Sequence, residues 1–473
     1  MSALATKLAP ERVLAHLPDR AMAATARGHH VLKRQFWAEV RRWRADIEAT
    51  DKLSGERLDQ LSLGRLRSLL THARDEVPHY RAAFEALDWR PEDIDDPARL
   101  RDLPLLSKAD LQEHLERLVA SGFPRDRLEY STTGGSTGVP VGFYLDKNDS
   151  LAAEWAFMTA QWARVGYRDG DRCAILGGEP PADGRLWERR PFWNFLVLSS
   201  YHLSESHLPE LMARLRAFRP AFLKGYPSSC HLLARWLLES GEPPPENLRA
   251  VLCGSENLYD WQREEIERAF GCRVYGWYGQ SERVCLAGEC ETRPELHIFP
   301  QYGWTELLDA DGEPVEDAGV PGEVVATPFH TRCMPLIRYR TGDIAVLADG
   351  ACPDCGRAYR RFERIEGRAQ EFILTADERP ISMTAINMHS DVFDNVRQFR
   401  FVQREPGRLL LKLVPAPSYD QDRDGERIRT QLGPKLRGVE LTAIEVVDDI
   451  PPTRSGKQRF LDQHLRVGFG DQT

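Results

Sequence analysis

Apolar residues recur at helical spacing through the first hundred residues of the chain. Over Arg57–Val77, leucines recur at near-helical spacing with arginine and histidine between them, which predicts an amphipathic helix. Pro104 and Ser107 then interrupt the pattern, and Ser107 is the expected N-cap of a short helix that reaches Val119. We expect residues 1–100 to form a helical lead-in.

From Tyr130 onward, short apolar runs alternate with amphipathic segments. The runs predict strands at Cys173–Leu176, Ala221–Lys224 and Ala250–Cys253, and the segments predict helices at Leu208–Phe218, Ser229–Ser240 and Tyr259–Ala269. This alternation is typical of an α/β domain with a largely parallel sheet. The stretch Gly303–Val325 differs, because Asp311-Gly312 and Pro321-Gly322 separate strand-like runs and favour hairpins.

A smaller unit is predicted after about Gly367. Its strand-like runs are Phe372–Thr375, Phe399–Gln403 and Leu409–Val414, while Pro415 to Asp424 reads as a loop. The predicted fold class is therefore α/β, with a large N-terminal domain of mixed sheets and flanking helices at residues 1–367. A small α+β C-terminal domain is expected at residues 368–473.

Composition narrows the functional classes. Hydrophobic residues make up 42% and charged residues 29% of the 473 positions, as in ordinary globular enzymes. The formal net charge of −9 argues against binding driven by nucleic-acid phosphates. No apolar stretch approaches the roughly 18–20 residues that a membrane span needs, and no secretory signal is visible. Nine cysteines in a chain of this length favour a reducing cytoplasm.

The segment Tyr130–Pro140 carries the strongest chemical signal. Its three glycines allow tight backbone turns that present N–H groups, and its hydroxyl side chains add further donors. Such a loop makes an anion cradle suited to a triphosphate. It lacks the Gly-Lys-Ser/Thr ending of the NTPase P-loop. The alternative is a Ser/Thr/Gly surface loop without a ligand.

Three further segments offer matching chemistry. In Gly276–Glu282, an aromatic beside a glycine suits a purine, and a carboxylate suits Mg²⁺, although a turn packed on the core is the alternative. In Arg338–Asp343, a turn offers a carboxylate to ribose hydroxyls. In Pro451–Lys457, a lysine behind a Pro- and Gly-containing turn suits the neutralisation of an oxyanion; the alternative is a solvated tail lysine.

A separate metal site is expected around Cys352-x-x-Cys355, which has the turn-forming sequence of a zinc knuckle. Cys290 and His297 would complete a Cys₃His set of the closed, structural kind. Other possibilities stay open: two buried thiols beside a turn, a different partner such as Cys285 or Cys333, or a redox disulfide between Cys352 and Cys355.

In this order and spacing, the four segments resemble the adenylate-forming superfamily of acyl-CoA synthetases, over roughly Leu61 to Leu461. Ala73–Arg81 and Leu103–Lys108 are similar to the N-terminal signatures of the phenylacetate–CoA ligase-like family. Gln370-Glu371-Phe372 and Ile381–Asp394, with Asn387-Met388-His389, resemble its CapK-like branch of capsular-polysaccharide biosynthesis. The resemblance implies an N-terminal domain that binds ATP and an acid, and a mobile C-terminal domain.

The resemblance also implies roles for individual residues. Lys457 would bridge the attacking carboxylate and the α-phosphate of ATP, Glu282 would ligate Mg²⁺, and Ser281 would meet the phosphate. The remaining implied nucleotide-binding residues are Ser131, Thr132, Thr133, Gly134, Gly135, Ser136, Thr137 and Gly138 around the phosphates, Gly254, Ser255 and Glu256 along the adenine, Tyr278, Gly279 and Gln280 at the base, Asp343 at the ribose hydroxyls, and Arg368 near the ribose and phosphate.

Three departures from the family pattern bear on the reaction. Val139 stands where many members have lysine, and Gln370 stands at the hinge where aspartate is usual. The glycine-containing loop that lines the pantetheine tunnel of CoA ligases is replaced by Thr375–Pro380. The acceptor of the acyl group is therefore open between CoA, a carrier-protein thiol and an amine on a sugar.

The expected function is an ATP-dependent, AMP-forming carboxylate ligase with Mg²⁺ and a structural Zn²⁺, acting in polysaccharide or cell-surface glycan biosynthesis. One alternative is a phenylacetate-type aryl-CoA ligase that forms a CoA thioester. Two others are a catalytically silent nucleotide-binding assembly partner and a zinc-dependent interaction protein. We expect a cytoplasmic monomer or homodimer without nucleic-acid partners.

Overall fold

The computed structural model describes residues 33–132, 141–177, 181, 184–204, 206–368, 371–383, 391–393, 395–436, 438–453 and 459–465. The α-helices are α1 (Arg34–Thr50), α2 (Gly55–Glu76), α3 (Pro78–Ala86), α4 (Lys108–His114), α5 (Asp149–Trp162), α6 (Leu208–Phe218), α7 (Pro227–Ser240), α8 (Asp260–Phe270) and α9 (Gln421–Leu432). The strands are β1 (Leu128–Thr132), β2 (Gly142–Asp146), β3 (Cys173–Leu176), β4 (Trp187–Arg190), β5 (Phe195–Leu198), β6 (Phe222–Gly225), β7 (Ala250–Gly254), β8 (Arg273–Gly279), β9 (Leu286–Gly288), β10 (Leu296–Ile298), β11 (Gly303–Leu308), β12 (Pro321–Pro328), β13 (Tyr339–Leu347), β14 (Arg361–Arg368), β15 (Phe372–Leu374), β16 (Pro380–Ser382), β17 (Val396–Glu405), β18 (Arg408–Pro415), β19 (Glu440–Val446) and β20 (Leu461–Gln463).

The described residues form two compact units, each assembled from separate stretches of chain. The first unit contains residues 170–275 and those after 364, and the second contains residues 33–169 and 276–364. The chain leaves the first unit within β8 and returns to it within β14.

The first unit contains the parallel sheet. Its strands lie in the order β7-β6-β3-β5-β4, and every neighbouring pair is parallel except β4 with β5. Apolar side chains of α6, α7 and α8 pack with those of β3, β6 and β7 in one buried cluster that includes Leu211, Leu233, Ile266, Leu223 and Val251. Left-handed Gly271, at φ 64°, ends α8 because it carries no Cβ to oppose that backbone conformation.

The C-terminal part of the same unit has its own core. Strands β19-β18-β17-β20 form a sheet in that order, α9 packs on it, and β15 and β16 form a separate hairpin. Tyr259, at the start of α8, belongs to this core, and the neighbouring Trp261 packs against it. Both rings contact Phe460 edge-on at a centroid distance of 5.7 Å.

The second unit is built on antiparallel pairs. Its strands lie in the order β11-β12-β13-β14-β10-β9-β8, and β1 pairs with β2 in a separate hairpin. Helix α5 is buried along most of its length, and Phe157 of α5 meets Tyr302 edge-on at 5.0 Å. Helix α2 buries one face, with Leu58, Leu66, Leu69 and Ala73 inside, because those positions share one side of a 3.6-residue turn.

Most predicted elements are present, with shifts of one to three residues at their ends. The α/β class with mixed sheets and flanking helices is confirmed, and Ser107 caps α4 through a capping box with Asp110. Two local predictions are wrong. Pro321-Gly322 opens strand β12 instead of forming a turn, and α9 begins at Gln421, inside the predicted loop.

The predicted domain boundary between residues 367 and 368 stays a prediction.

None of the helices formed by the described residues combines the length and the apolar character that crossing a membrane requires.

Gly303 supplies a test of the second unit's sheet. A Cβ at this position would lie 2.7 Å from the Thr327 carbonyl oxygen and 2.9 Å from that of Val284. Because backbone would have to move, we expect Gly303→Ala to lower the free energy of unfolding by about 1–3 kcal/mol in urea denaturation. Gly64 is the control: it is exposed within α2 with no atom within 4 Å of an added Cβ. Gly64→Ala should stabilise by about 0.5–1 kcal/mol. Equal stabilities of the two variants would contradict the packing described here.

Candidate functional site

The hairpin β1–β2 brackets the predicted phosphate loop. Ser131 pairs with Phe143 and Thr132 with Gly142, so both ends of the loop are held in antiparallel register. A Cβ at Gly142 would lie 2.0 Å from the Tyr130 hydroxyl oxygen, so the exposed tyrosine side chain lies over Gly142 and would have to turn aside for a larger residue. Residues 133–140, which include Thr133, Gly134, Gly135, Ser136, Thr137, Gly138 and Val139, lie outside the described part of the chain.

The predicted adenine-binding residues lie in the first unit, where parallel strand β7 ends. Gly254 is buried, and Ser255 is exposed with a left-handed backbone at φ 69°. Glu256 accepts a hydrogen bond from the Ser228 backbone N–H at 3.1 Å. Loops at the carboxyl ends of parallel strands are the usual ligand sites of α/β sheets, so the position suits the predicted role.

Gly367, which precedes Arg368, lies close to this segment. A Cβ on Gly367 would lie 2.1 Å from the Glu371 carboxylate and 2.8 Å from Asn257 Nδ2, and Asn257 itself donates to Glu371 at 3.0 Å. The end of β14 is therefore packed against the residues that follow Glu256. Gln370, the predicted hinge, lies outside the described residues.

In the second unit, two predicted motifs exchange hydrogen bonds. The Tyr278 hydroxyl donates to Asp343 Oδ2 at 2.9 Å, and the Tyr339 hydroxyl donates to Glu282 Oε1 at 2.8 Å. Both carboxylates are buried, with Glu282 5% and Asp343 6% exposed. Burial raises the pKa of Tyr278 well above its usual value, so its hydroxyl keeps the proton that it donates. The motif around residues 278–282 and the motif around residues 338–343 thus form one structure.

Hydrogen bonds between charged side chains stabilise the turn that precedes Asp343. Arg338 is left-handed at φ 50° and buried, and it donates to both oxygens of Glu306 at 3.2 and 3.0 Å. Its guanidinium also donates to the Leu103 carbonyl at 2.8 Å. Burial raises the pKa of Glu306, and the facing Arg338 opposes that rise. These contacts fix where β13 begins, and with it the positions of Tyr339 and Asp343.

A tight turn presents Ser281 and Glu282 on opposite sides. The Arg283 N–H donates to the Gln280 carbonyl at 3.1 Å, and the Gln280 side-chain oxygen accepts from the Cys285 N–H at 3.1 Å. Ser281 is exposed while Glu282 is buried, so the two side chains diverge. Gly279 ends β8 just before this turn.

Magnesium fits the chemistry of Glu282. Among the described residues, the Tyr339 hydroxyl is the donor to this carboxylate, and it engages Oε1. A carboxylate has about four acceptor positions, so Oε2 keeps capacity for a hard cation that prefers oxygen ligands. Bound Mg²⁺ would supply charge neutralisation at the nucleotide phosphates.

Lys457 and its neighbours from Arg454 to Gln458 lie outside the described residues, but both flanks of this loop are described. Arg400 of β17 donates to the Pro451 carbonyl at 2.8 Å and to the Arg459 carbonyl at 3.0 Å. One side chain therefore holds the two ends of the lysine-containing loop. Sequence reasoning missed Arg400, since no local pattern links residues more than fifty positions apart.

His389, with the neighbouring Asn387 and Met388, also lies outside the described residues.

The predicted cysteine and histidine ligands meet in the second unit. One ligand atom from each of Cys290, His297, Cys352 and Cys355 lies within 4.8 Å of the other three. Cys355 Sγ is 3.3 Å from His297 Nε2. A tetrahedral zinc site with bonds of about 2.0–2.3 Å needs ligand atoms about 3.5–3.8 Å apart, close to this arrangement.

The surroundings also suit a metal. His297 Nδ1 lies 3.1 Å from the Glu295 carbonyl, which leaves Nε2 facing the sulfur atoms. Burial, reinforced by Arg164, lowers the pKa of His297 to about 4, so the ring is neutral at pH 7. All five cysteines that the sequence left as candidates are free thiols. Of these, Cys285 and Cys333 are hydrogen-bonded outside the cluster, to Thr305 and to the Tyr144 carbonyl.

Comparisons with known proteins identify relatives of the chain. Residues 373–464 match the family model of the CapK C-terminal domain. Protein CapK of Staphylococcus aureus is 25% identical over 378 residues, which is 78% of this chain and 81% of that protein. Phenylacetate-coenzyme A ligase of Aromatoleum evansii is 28% identical over 337 residues, covering 70% of this chain and 74% of that enzyme.

Among solved structures, 2-hydroxyisobutyryl-CoA ligase in the postadenylation state matches with a TM-score of 0.69. The match covers 88% of this chain and 91% of that chain at 20% identity, so it shows a shared fold. The fold class expected from the sequence is thereby confirmed in its specific form. With the CapK and phenylacetate-coenzyme A ligase relatives, these findings support the resemblance expected from the sequence: the chain is similar to both proteins over most of its length, and its residues 373–464 match the CapK C-terminal domain.

Proposed function

We propose that the protein is an AMP-forming ligase that activates a carboxylic acid with ATP. An oxygen of the acid bonds to the α-phosphorus, the bond from that phosphorus to the bridging oxygen breaks, and pyrophosphate leaves with the electron pair. The acyl group of the resulting acyl-adenylate then passes to an acceptor. The observation that carries the proposal is the pair of hydrogen bonds from Tyr278 to Asp343 and from Tyr339 to Glu282. These two bonds hold the proposed metal ligand and the proposed ribose acceptor in one arrangement.

Catalysis of this kind is mainly positioning and charge neutralisation. Glu282 is proposed to hold Mg²⁺, Ser281 to meet a phosphate, and Asp343 to accept the ribose hydroxyls. Tyr278 is proposed to lie beside the base, flanked by Gly279 and Gln280. Its contact with Asp343 supports this arrangement, since one hydrogen bond links the base and ribose positions.

The remaining nucleotide contacts are proposed from the family pattern. Ser131 to Gly138 take the β- and γ-phosphates, Gly254 to Glu256 line the adenine, and Arg368 lies near the ribose and phosphate. Lys457 bridges the acid and the α-phosphate. The hairpin that holds Ser131 and Thr132, and the double anchoring of the lysine loop by Arg400, support these two assignments.

The acceptor is proposed to be an amine or thiol of a polysaccharide or cell-surface glycan pathway, with ATP supplied in the cytoplasm. The CapK C-terminal match favours this choice. So does the turn between β15 and β16, where Asp377 accepts from Arg379 at 2.6 Å and the Thr375 N–H donates to the Arg379 carbonyl at 2.9 Å. This closed turn stands where CoA ligases of the family carry a glycine loop. An aryl-CoA ligase is the second candidate, favoured by the phenylacetate-coenzyme A ligase relatives.

Pyrophosphate release from ATP across aryl, fatty, amino and uronic acids, with and without CoA, tests the reaction and separates the candidates. Release that depends on the acid is expected. A thioester product that requires CoA would favour the aryl-CoA ligase, and release unaffected by CoA would favour an amine or carrier acceptor. ATP binding without release for any acid would favour the silent assembly partner and contradict the proposal.

Lys457→Ala should abolish most of this activity while ATP still binds. Loss of a preorganised charge at the reacting oxygens typically costs about 100- to 1000-fold in rate. The measurement is acid-dependent pyrophosphate release, with ATP binding measured by calorimetry on the same preparation. Lys457→Arg serves as the control for charge, since arginine keeps the charge but not the compact ammonium geometry. Near-normal release by Lys457→Ala would remove this residue from the reaction.

Tyr278→Phe should weaken ATP binding. It keeps the ring but removes the hydroxyl that orients Asp343, and a hydrogen bond to a charged group is worth about 1.5 kcal/mol, or roughly tenfold in KM for ATP. The control is Tyr144→Phe, whose hydroxyl lies 3.3 Å from the exposed Glu116. An unchanged KM for ATP in Tyr278→Phe would contradict the assigned role of the Tyr278–Asp343 pair.

We also propose that Cys290, His297, Cys352 and Cys355 bind one structural Zn²⁺. Cys352→Ser should lower the zinc content measured by inductively coupled plasma mass spectrometry well below one per chain. It should also lower Tm, because zinc binding contributes directly to folding. Cys285→Ser removes a buried thiol outside the cluster and should keep full zinc content. Full zinc content in Cys352→Ser, or none in the wild type, would refute the site.

A further inference from the structure

Arg283 occupies a backbone conformation that its side chain disfavours. It follows Glu282 directly, it is 6% exposed, and its φ is 58° in the left-handed region. An L residue other than glycine is strained there because its Cβ crowds the carbonyl oxygen. Such strain persists only where surrounding contacts enforce it, and it concentrates at functional sites.

The contacts that enforce it come from helix α5. The Arg283 guanidinium Nη1 donates to the Ser150 carbonyl at 3.0 Å, in the first turn of the helix. Its Nε lies 4.0 Å from Glu154 Oε2, one turn further along. Glu154 is in turn fixed by the Tyr302 hydroxyl, which donates to the same oxygen at 2.7 Å. The side chain therefore ties the end of the Gln280–Arg283 turn to a buried helix.

The contacts of Arg283 with α5 affect the position of Glu282 because the turn is short. The Arg283 N–H closes the turn on the Gln280 carbonyl, and the left-handed residue sets the direction in which the chain leaves. If Arg283 relaxed to a right-handed conformation, the peptide that follows Glu282 would rotate. The Glu282 carboxylate would then lose its position beside the Tyr339 hydroxyl.

We propose that Arg283 is a positioning residue for the metal–nucleotide site: anchored on α5, it holds the strained turn that aims the Glu282 carboxylate at Mg²⁺. The inference rests on the proposed function and extends it to a residue outside the four motifs. It distinguishes two roles that a buried arginine can have. A residue that only supports packing affects stability, whereas a positioning residue changes the magnesium requirement of the folded protein.

Arg283→Gly is the informative substitution. Glycine adopts a φ of 58° without strain, so the variant loses the anchor while the turn itself stays accessible. We expect the Mg²⁺ concentration for half-maximal pyrophosphate release to rise at least tenfold at saturating ATP. Arg283→Lys, which keeps the charge but lacks the planar fork, should give an intermediate shift. The surface variant Arg332→Ala, which removes a side chain that donates to the Ser68 hydroxyl at 3.4 Å, should match the wild type.

Two further variants separate an effect on the position of Glu282 from a loss of folding. Arg283→Gly leaves the partly buried Glu154 without its cation, so the double variant Arg283→Gly/Glu154→Gln removes the uncompensated charge. It should fold, and it should keep the raised magnesium requirement. Glu154→Gln alone retains the bond from Arg283 to the Ser150 carbonyl and should shift the requirement less than threefold.

A second readout does not depend on turnover. Mn²⁺ binding in the presence of α,β-methylene-ATP is followed by electron paramagnetic resonance, and analogue binding in EDTA is measured alongside. Arg283→Gly should lose at least tenfold in Mn²⁺ affinity while analogue binding in EDTA is kept. If the wild type releases no pyrophosphate, the proposed function fails, and the Mn²⁺ titration still decides the role of Arg283. Wild-type Mn²⁺ affinity and magnesium requirement in the folded glycine variants would overturn the inference.

Discussion

Two buried carboxylates set the main constraint on the second unit. Glu282 and Asp343 lie far apart in sequence, yet each accepts a hydrogen bond from a tyrosine of the other's segment. A carboxylate removed from water without partners is costly, so the end of β8 and the start of β13 must keep their positions relative to each other. The charged contacts of Arg338 with Glu306, and the bridge from Leu106 to Tyr339, secure β13 in that position.

The cysteine–histidine cluster is likewise built from residues that are distant in sequence. Cys290 follows β9, His297 lies in β10, and Cys352 and Cys355 lie in the connection from β13 to β14. Buried Arg357 joins these segments, because it donates to both oxygens of Glu291 and to Asp51 at the end of α1. The candidate metal centre and the candidate nucleotide residues of the second unit thus depend on the same antiparallel strands.

Sequence patterns predicted what is local. The apolar periodicity of α6 placed its ends correctly at Leu208 and Phe218, and the glycine, tyrosine and carboxylate motifs identified the segments that the structure joins. The Cys-x-x-Cys spacing likewise named ligands that do cluster.

What the sequence did not reveal depends on partners distant along the chain. Arg283 and Arg400 carry no local signal, because their acceptors lie on α5 and on the flanks of the lysine loop. Pro321-Gly322 looks like a turn, but pairing of β12 with β11 and β13 overrides that propensity. Helix α9 was missed because half of its residues are charged, which leaves a narrow apolar face that includes Ile428 and Leu432.

The central claim is that an oxygen of a carboxylic acid attacks the α-phosphorus of ATP. Its most direct test is incubation with ATP and an acid labelled with ¹⁸O in its carboxylate, followed by release of the acyl group and mass spectrometry of the products. The account predicts AMP that carries one ¹⁸O atom, with unlabelled pyrophosphate. Label in inorganic phosphate, with ADP as the nucleotide product, would place the attack on the γ-phosphorus and contradict it.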